Sequence, residues 1–234
     1  MNQNKFIEEL KKLSIDITEK QLSQLEKYYE LLIEWNEKMN LTGIVEKEEV
    51  YLKHFYDSLT ISKIINLDEV ETLCDIGTGA GFPGLVLKIV FPNLKITLID
   101  SLNKRIQFLN EVIEKLGLTK IETIHCRIEE YGINNKEKYD IVTARAVAPL
   151  NILLEYAIPI VKVKGNFIVM KANIEEELEN SENAINKLNC KIMDLKKFLL
   201  PLENSNRTLI KIEKQDKTNK IFPRKYNEIK RKPL

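Results

Sequence analysis

The amino-acid sequence of 234 residues predicts an α/β fold: a mostly parallel sheet of seven strands with an antiparallel C-terminal hairpin, preceded by a helical N-terminal extension. From Glu71 onward, short runs rich in β-branched residues alternate with helical segments, as in βαβ units. Two last strand candidates, 191–200 and 207–214, are separated by a Pro-Leu-Glu-Asn-Ser-Asn turn. Residues 4–66 instead repeat apolar side chains at helical spacing.

The helical N-terminal extension is expected to span residues 1–66. Thr18 and Gln21 form a candidate capping box at the start of a helix. The apolar stripe that follows predicts packing against the rest of the chain: Leu22, Leu25, Tyr28, Leu32, Trp35 and Met39. This helix is expected to end near the Asn40-Leu41-Thr42-Gly43 segment, and a second helix is expected over about residues 46–65.

The sheet is expected to lie in a central domain, residues 67–214. Its first five strand candidates read VETLCDI, LKITLID, IETIHC, KYDIVTA and GNFIVMK. Helical segments separate them, so right-handed crossovers would make these strands parallel. A helix over residues 174–188 then precedes the hairpin. This order resembles the Rossmann-like sheet of class I methyltransferases, whereas an NAD-binding Rossmann sheet would continue with parallel strands.

Composition and charge exclude several classes of protein. A hydrophobic fraction of 44% is enough for a core, which excludes a disordered chain. With 36 basic and 35 acidic side chains the net charge is only +1, which excludes a strongly basic nucleic-acid binder but not a local basic patch. The start of the chain lacks the apolar region of a signal peptide, and no apolar run has the length of a membrane span.

The cysteines and histidines form no pattern typical of a disulfide framework or a metal site. Cys74, Cys126 and Cys190 are far apart and make no CxxC pair, which favours a reducing compartment. His54 and His125 have no companion at ligand spacing. We therefore expect a cytoplasmic protein without a metal.

The C-terminal tail, residues 215–234, is basic. The segment Lys211–Lys232 holds nine basic and three acidic side chains, whereas residues 1–70 hold nine basic and 14 acidic ones. Two interpretations of the tail stay open: a solvated chain end, or an electrostatic contact with a polyanion.

The strongest local signal is the glycine loop, Leu73–Gly84. A strand is expected to end near Asp75, four glycines follow within eight residues, and a helix begins near Pro83. Glycines let a backbone turn sharply and approach a ligand closely, and a helix N-terminus offers unpaired N–H groups. In an open α/β sheet the first such turn lies at the ligand-binding edge.

Two acidic residues bear on which ligand this loop binds. Residues 79–84 satisfy GxGxxG, so a dinucleotide is an alternative. However, Asp75 precedes the glycines in the pattern D-x-G-x-G-x-G, which resembles the S-adenosylmethionine loop. Asp100 ends the next strand, where it can accept hydrogen bonds from a ribose diol. Together with the hairpin, this pattern favours S-adenosylmethionine over NAD(P).

Further candidates follow the third and fourth strands. Ile128 and Glu129 come where methyltransferases of this class hold the adenine. Ile128 is expected to face the ring, and Glu129 or nearby main chain is expected to contact its exocyclic amine. Alternatively, Glu129 is an acid that stabilises a helix start. Arg145 is a single charge in a small, apolar run, and a buried arginine needs an acidic or phosphate partner.

Two signatures of other methyl acceptors are missing. Enzymes that methylate exocyclic amines usually carry an Asn/Asp-Pro-Pro-aromatic turn after strand four, where this chain has Arg-Ala-Val-Ala-Pro. Pyrimidine C5 methylation needs a cysteine nucleophile, and neither Cys74 nor Cys126 follows a proline.

Short motifs across the chain are together more specific than the glycine loop: Trp35-Asn36, Asn40-Leu41-Thr42, His54-x-x-Asp57-Ser58, Asp75–Gly84, Asp100–Arg105, Arg145-Ala146, Lys171, Arg207-x-Leu209 and Lys232-Pro-Leu. On these residues the chain resembles the ribosomal RNA small subunit methyltransferase G family, also called glucose-inhibited division protein B. The resemblance implies N7 methylation of a guanine in 16S rRNA with S-adenosylmethionine. The expected partner is 16S rRNA or the small ribosomal subunit, with no membrane, and the protein is expected to be a monomer.

The resemblance also implies which residues bind the cofactor, and the need to align the guanine and stabilise its developing charge indicates which residues hold it. The expected cofactor contacts are Gly77, Gly79, Phe82, Asp100, Ile128, Glu129 and Arg145. Candidates for holding the guanine or its flanking phosphates are Asn40, Asp57, Arg145 and Lys171. Structural alternatives are that Asn40 caps a helix, that Asp57 pairs with Lys53, and that Lys171 is a solvated cation. Replacing Arg145 by alanine is expected to lower methyl transfer about tenfold or more with little change in melting.

Two other classes of function remain open at this point. The chain could be a small-molecule methyltransferase in which residues 1–66 cover the site. It could also be an NAD(P)-binding protein or a catalytically silent RNA-binding module.

Overall fold

The sheet of this computed structural model, which describes residues 1–145 and 148–234, has seven strands in the order β3-β2-β1-β4-β5-β7-β6. Their bounds are β1 Thr72–Ile76, β2 Lys95–Asp100, β3 Ile121–His125, β4 Tyr139–Arg145, β5 Val161–Lys171, β6 Cys190–Leu199 and β7 Asn206–Lys214. The pairs among β1 to β5 are parallel, and β7 is antiparallel to both β5 and β6. The predicted sheet with its C-terminal hairpin is confirmed.

Parallel pairing brings the carboxyl ends of the first five strands to one edge. Asp75 pairs with Leu98 of β2 and Thr143 of β4. Asp100 at the end of β2 lies beside His125 at the end of β3. Residues that directly follow these strands are therefore close in space although far apart in the sequence. Ala146, from the Arg145-Ala146 motif, lies outside the described residues, as does Val147.

The N-terminal region is helical as predicted. Helix α1 spans Gln3–Lys11 and α2 spans Glu19–Lys38. The capping box is confirmed: the Gln21 N–H donates to Thr18 Oγ1 at 3.3 Å, and the Thr18 N–H donates to Gln21 Oε1 at 2.8 Å. The predicted stripe lies on the buried face of α2, where Tyr28 is fully buried.

The helix predicted over residues 46–65 is divided into segments of different hydrogen-bond spacing. They are α3 (Lys47–Val50), a π-helix (Tyr51–Tyr56), α4 (Asp57–Leu59) and a 3₁₀ helix (Thr60–Lys63). Ser58 Oγ donates to the His54 carbonyl at 2.5 Å within this stretch. Single π-helical turns frequently lie at functional sites.

Further helices cover the two faces of the sheet. They are α5 (Gly84–Val90), α6 (Asn103–Lys115), α7 (Ile128–Asn134), α8 (Leu150–Ala157), α9 (Glu175–Glu179), α10 (Glu182–Lys187) and α11 (Tyr226–Arg231), with 3₁₀ helices at Leu67–Glu69 and Ile158–Ile160. The single helix predicted over 174–188 is instead α9 and α10. The break lies at Asn180 and Ser181, residue types whose polar side chains favour turns, and Ser181 Oγ donates to the Glu177 carbonyl at 2.6 Å.

Two apolar clusters lie on the two sides of the sheet. One joins the N-terminal helices with α5 and α6, so the helical extension shares a core with strands β1 and β2. The other joins α8, α10 and the C-terminal tail, in which Phe222, Ile229 and Leu234 are buried. The tail is thus packed against the domain and is not a solvated chain end. None of the helices in the described residues is long and apolar enough to span a membrane.

Candidate functional site

The glycine loop after β1 is organised by the buried carboxylate of Asp75. Its Oδ2 accepts hydrogen bonds from Thr78 Oγ1 at 2.7 Å and from the Gly84 N–H at 2.8 Å. A Cβ atom at Gly84 would lie 2.9 Å from that oxygen. Only glycine at the first position of helix α5 therefore allows this close approach to Asp75. Burial raises the pKa of Asp75 to about 7. The buried Asp75 side chain therefore fixes the loop conformation through its hydrogen bonds to Thr78 and Gly84.

The loop itself opens toward solvent at Gly79. Gly77, Gly79 and Gly81 have φ values of +64°, +61° and +97°, a region that side chains rarely adopt. A Cβ at Gly79 would meet nothing within 4 Å, so the backbone there borders open space.

A cavity of about 370 Å³ lies at the carboxyl ends of β1, β2 and β3. Four of the predicted cofactor residues line it: Gly77, Asp100, Ile128 and Glu129. Gly79 is not in the lining but donates its N–H to Asp100 Oδ2 at 2.9 Å. Phe82 and Arg145 belong to a neighbouring cluster.

Asp100 connects the glycine loop to helix α6. Besides the Gly79 N–H, its carboxylate accepts from the Leu102 N–H at 2.9 Å and from Arg105 at 3.2 Å. A carboxylate offers about four acceptor positions, so these three bonds leave capacity for a ligand hydroxyl. Asp100 is 3% exposed and lines the cavity, which makes it a fixed acceptor for that hydroxyl.

Glu129 is a buried residue of the cavity lining with one carboxylate oxygen that accepts no hydrogen bond. The residue is 5% exposed, and its Oε1 has no hydrogen bond within the described structure. Arg127 is 4.0 Å away, and burial raises the pKa of Glu129. A buried acceptor without a partner is costly, so a ligand amine in the cavity would stabilise it. Ile128 beside it offers an apolar surface in the same lining.

The second group at this edge is the arginine cluster: His54, Asp57, Phe82, Arg145 and Arg207. Asp57, 4% exposed, accepts from Arg145 at 3.3 Å and from Arg207 Nε at 3.0 Å. The Arg145 guanidinium also donates to the Lys53 carbonyl at 3.1 Å and lies 5.1 Å from the Phe82 ring centroid. The suggested pairing of Asp57 with Lys53 is wrong.

The side chain of Lys53 is directed elsewhere. It forms salt bridges of 2.8 and 2.9 Å with Glu49 and Glu203. Arg145 and Arg207 instead donate to the two oxygens of Asp57 and so compensate the loss of hydration of this buried carboxylate.

His54 is a member of this cluster whose role sequence reasoning missed. Its ring stacks on Phe82, with centroids 4.3 Å apart. Burial and the charge of Arg145 lower the pKa of His54 to about 3, so the ring is neutral. Its Nδ1 lies 3.3 Å from Arg145 and accepts, while Nε2 lies 2.9 Å from Thr42 Oγ1 and donates. The ring thus links the end of β4 to the loop after α2.

Neither Asn40 nor Lys171 is among the residues that line the cavity. Asn40 is exposed, and it is Asn36 that closes the end of α2 by accepting from the Leu41 and Thr42 N–H groups at 2.8 and 2.9 Å. The expectation that Asn40 caps the helix is therefore wrong.

Lys171 ends β5, and its ammonium group is held in place. It donates to the Ala148 carbonyl at 2.7 Å and to Glu177 at 3.0 Å, with its side chain 12% exposed. Lys171 is therefore not a solvated cation. Among the residues that the structure describes, no three His, Cys, Asp or Glu side chains are grouped so as to hold a metal ion.

Comparison with known proteins gives a consistent result. A family model described as rRNA small subunit methyltransferase G matches residues 21–210. Proteins named "Ribosomal RNA small subunit methyltransferase G" from an Exiguobacterium species and from Bacillus licheniformis are 49% and 48% identical to this chain. Each alignment covers 100% of this chain and 100% or 99% of the relative.

Solved structures resemble the fold at much lower identity. A SAM-dependent methyltransferase from Aquifex aeolicus superposes with a TM-score of 0.55 at 17% identity, over 78% of this chain and 98% of that one. TYW2 from M. jannaschii, solved with AdoMet, gives 0.52 at 17% identity, over 63% and 70%. These likenesses confirm the predicted class I methyltransferase fold.

Proposed function

The chain belongs to the rRNA small subunit methyltransferase G family, and on that premise we propose that it transfers the methyl group of S-adenosylmethionine to N7 of a guanine in 16S rRNA. The observation that carries this proposal is the cavity beside the glycine loop. It combines a fixed acceptor, Asp100, with the unpartnered oxygen of Glu129. The antiparallel β7 supports the same choice over an NAD(P) sheet.

The cavity fits the chemical groups of S-adenosylmethionine. Asp100 can accept from the ribose diol, Ile128 can pack against the adenine, and Glu129 can accept from its amine. The backbone of Gly77 and Gly79 permits close approach of the rest of the molecule. When bound, the cofactor supplies an electrophilic methyl group on a sulfonium, which is the difficult part of the chemistry.

The protein's own contribution is to align guanine N7, the methyl acceptor, with the methyl group. Guanine N7 has a lone pair in the ring plane and no proton to remove, so no general base is needed. In agreement, Asp57 is engaged by two arginines and both nitrogens of His54 are hydrogen-bonded. Alignment at reacting distance contributes up to about 7–11 kcal/mol in favourable cases.

The arginine cluster lies where such alignment is required. Arg145 ends β4, the strand next to β1, and in this proposal its remaining N–H groups face the guanine or a flanking phosphate. In this proposal Asp57 keeps the guanidinium in place, and Asn40 and Lys171 are further residues that hold the nucleotide. Residues 67–214 supply most of the cofactor cavity, residues 1–66 complete the side that faces the guanine, and the enzyme acts as a monomer on 16S rRNA or the small subunit.

Deleting the gene and analysing nucleosides of small-subunit rRNA tests this function. We expect one N7-methylguanine to disappear and to return when the wild-type gene is supplied. An Asp100→Ala gene should fail to restore it, while a gene for the exposed-site variant Lys217→Ala should restore it fully. Unchanged N7-methylguanine in the deletion strain would contradict the proposal.

A further inference from the structure

The C-terminal segment 221–234 forms the outer side of the cavity. Tyr226 and Lys230, both on α11, line it together with Arg127, which directly precedes α7. The segment is held by apolar side chains as well, since Ile229 is fully buried and Leu234 is 8% exposed. A basic tail that sequence reasoning assigned to solvent or to a polyanion therefore borders the proposed cofactor site.

One ion pair anchors this segment. Glu155 of α8 is fully buried and accepts from Arg224 twice, at 2.8 Å from Nε and at 2.6 Å from NH2. The Arg224 backbone N–H adds a third bond to Glu155 at 2.9 Å. Through NH1, the same guanidinium donates to the Lys232 carbonyl at 3.1 Å. A bidentate pair fixes geometry as well as charge, so Arg224 ties both ends of α11 to α8.

The anchored helix presents an aromatic ring to the cavity. Tyr226 is 37% exposed, and the guanidinium carbon of Arg127 lies 4.6 Å from its ring centroid. Arg127 directly precedes Ile128 and Glu129, which line the same cavity. The Arg127–Tyr226 contact therefore joins the tail to the part of the cavity where the unpartnered Glu129 oxygen lies.

We propose that Tyr226 is a cofactor-binding residue whose ring packs against the adenine end of S-adenosylmethionine, and that Arg224 and Glu155 are positioning residues that hold it there. This inference rests on the proposed function, because it takes the adenine to lie beside Ile128 and Glu129. It assigns to the tail a part in cofactor affinity that is separate from any contact with RNA.

Calorimetry with S-adenosylhomocysteine on the full-length protein tests the inference. Removing an aromatic contact to a base lowers affinity by roughly tenfold, so Tyr226→Ala should bind about tenfold more weakly. Tyr226→Phe keeps the ring and should recover most of that affinity. Lys217→Ala, an exposed cation of the same tail, should bind as the wild type does.

The positioning pair is tested by kinetics. Arg224→Lys keeps the charge and loses the bidentate geometry, so KM for S-adenosylmethionine should rise several-fold with a much smaller change in kcat. A purely structural role would lower the amount of folded enzyme and so reduce kcat at constant KM, which would overturn that assignment.

The two proposals fail in distinguishable ways. If the wild type binds S-adenosylhomocysteine and Tyr226→Ala binds equally well, the inference about the tail is wrong and the proposed function stands. If the wild type binds none, the proposed function is overturned and the inference with it.

Discussion

Replacing Arg145 by alanine removes one of two cations from a buried carboxylate. The Arg145 and Asp57 side chains are 15% and 5% exposed, and Arg207 holds the other oxygen at 3.0 Å. Breaking a buried pair costs about 3–5 kcal/mol, and because Arg207 remains we expect the lower end, about 3 kcal/mol. In a chain of this size that corresponds to a melting temperature lower by roughly 6–12 °C.

This revises the expectation from sequence that melting would stay near the wild-type value. Loss of stability therefore has to be separated from loss of catalysis, and a double-mutant cycle does this. Arg145→Ala, Asp57→Asn and the double variant are compared by thermal melting and by methyl transfer to small-subunit RNA. The two single losses of stability should not add, because the double variant no longer contains the unpaired carboxylate.

Methyl transfer should behave differently in the same three proteins. If Arg145 also orients the guanine, transfer falls about tenfold or more in Arg145→Ala and stays low in the double variant, measured well below every melting temperature. Recovery of transfer together with stability in the double variant would refute this role. Arg145 would then be a structural partner of Asp57 alone.

Two further predictions concern Asp75 beneath the glycine loop and Asp100 in the cavity. Because burial raises the pKa of Asp75 to about 7, its ionisation costs folding free energy as the pH rises from about 4 to about 7. The melting temperature of Asp75→Asn relative to wild type should therefore increase from about pH 5 to about pH 8, and a pH-independent difference would contradict this. Asp100→Asn loses hydrogen bonds to a charged group worth about 1.5–3 kcal/mol each, so S-adenosylhomocysteine should bind about tenfold or more weakly in calorimetry. Wild-type affinity in Asp100→Asn would show that this aspartate does not bind the cofactor.

Most strand bounds were predictable from the sequence to within one or two residues, but β5 begins at Val161, four residues before the predicted GNFIVMK run. The hairpin candidates 191–200 and 207–214 correspond to β6 at Cys190–Leu199 and β7 at Asn206–Lys214. Such runs are recognisable because β-branched residues and turn signals act locally. The π-helical turn at Tyr51–Tyr56 was not predictable, since its hydrogen-bond spacing depends on how the helix packs.

The cavity was also more predictable from the sequence than the arginine cluster was. The sequence places Asp100, Ile128 and Glu129 together because parallel strands end at one edge. It gave no indication of the Arg207–Asp57 pair, whose members are 150 residues apart. The net charge of the tail likewise gave no indication that Arg224 pairs with buried Glu155, because only folding brings these two residues together.

Transfer of a labelled methyl group by the purified protein tests the central claim most directly. The protein is incubated with S-adenosylmethionine labelled in the methyl group and with small-subunit RNA or ribosomal subunits, and the RNA is digested to nucleosides. We predict that the label is recovered as 7-methylguanosine and that Asp100→Ala yields little. Label in a different nucleoside, or no label in RNA from a protein that binds S-adenosylhomocysteine, would contradict the account.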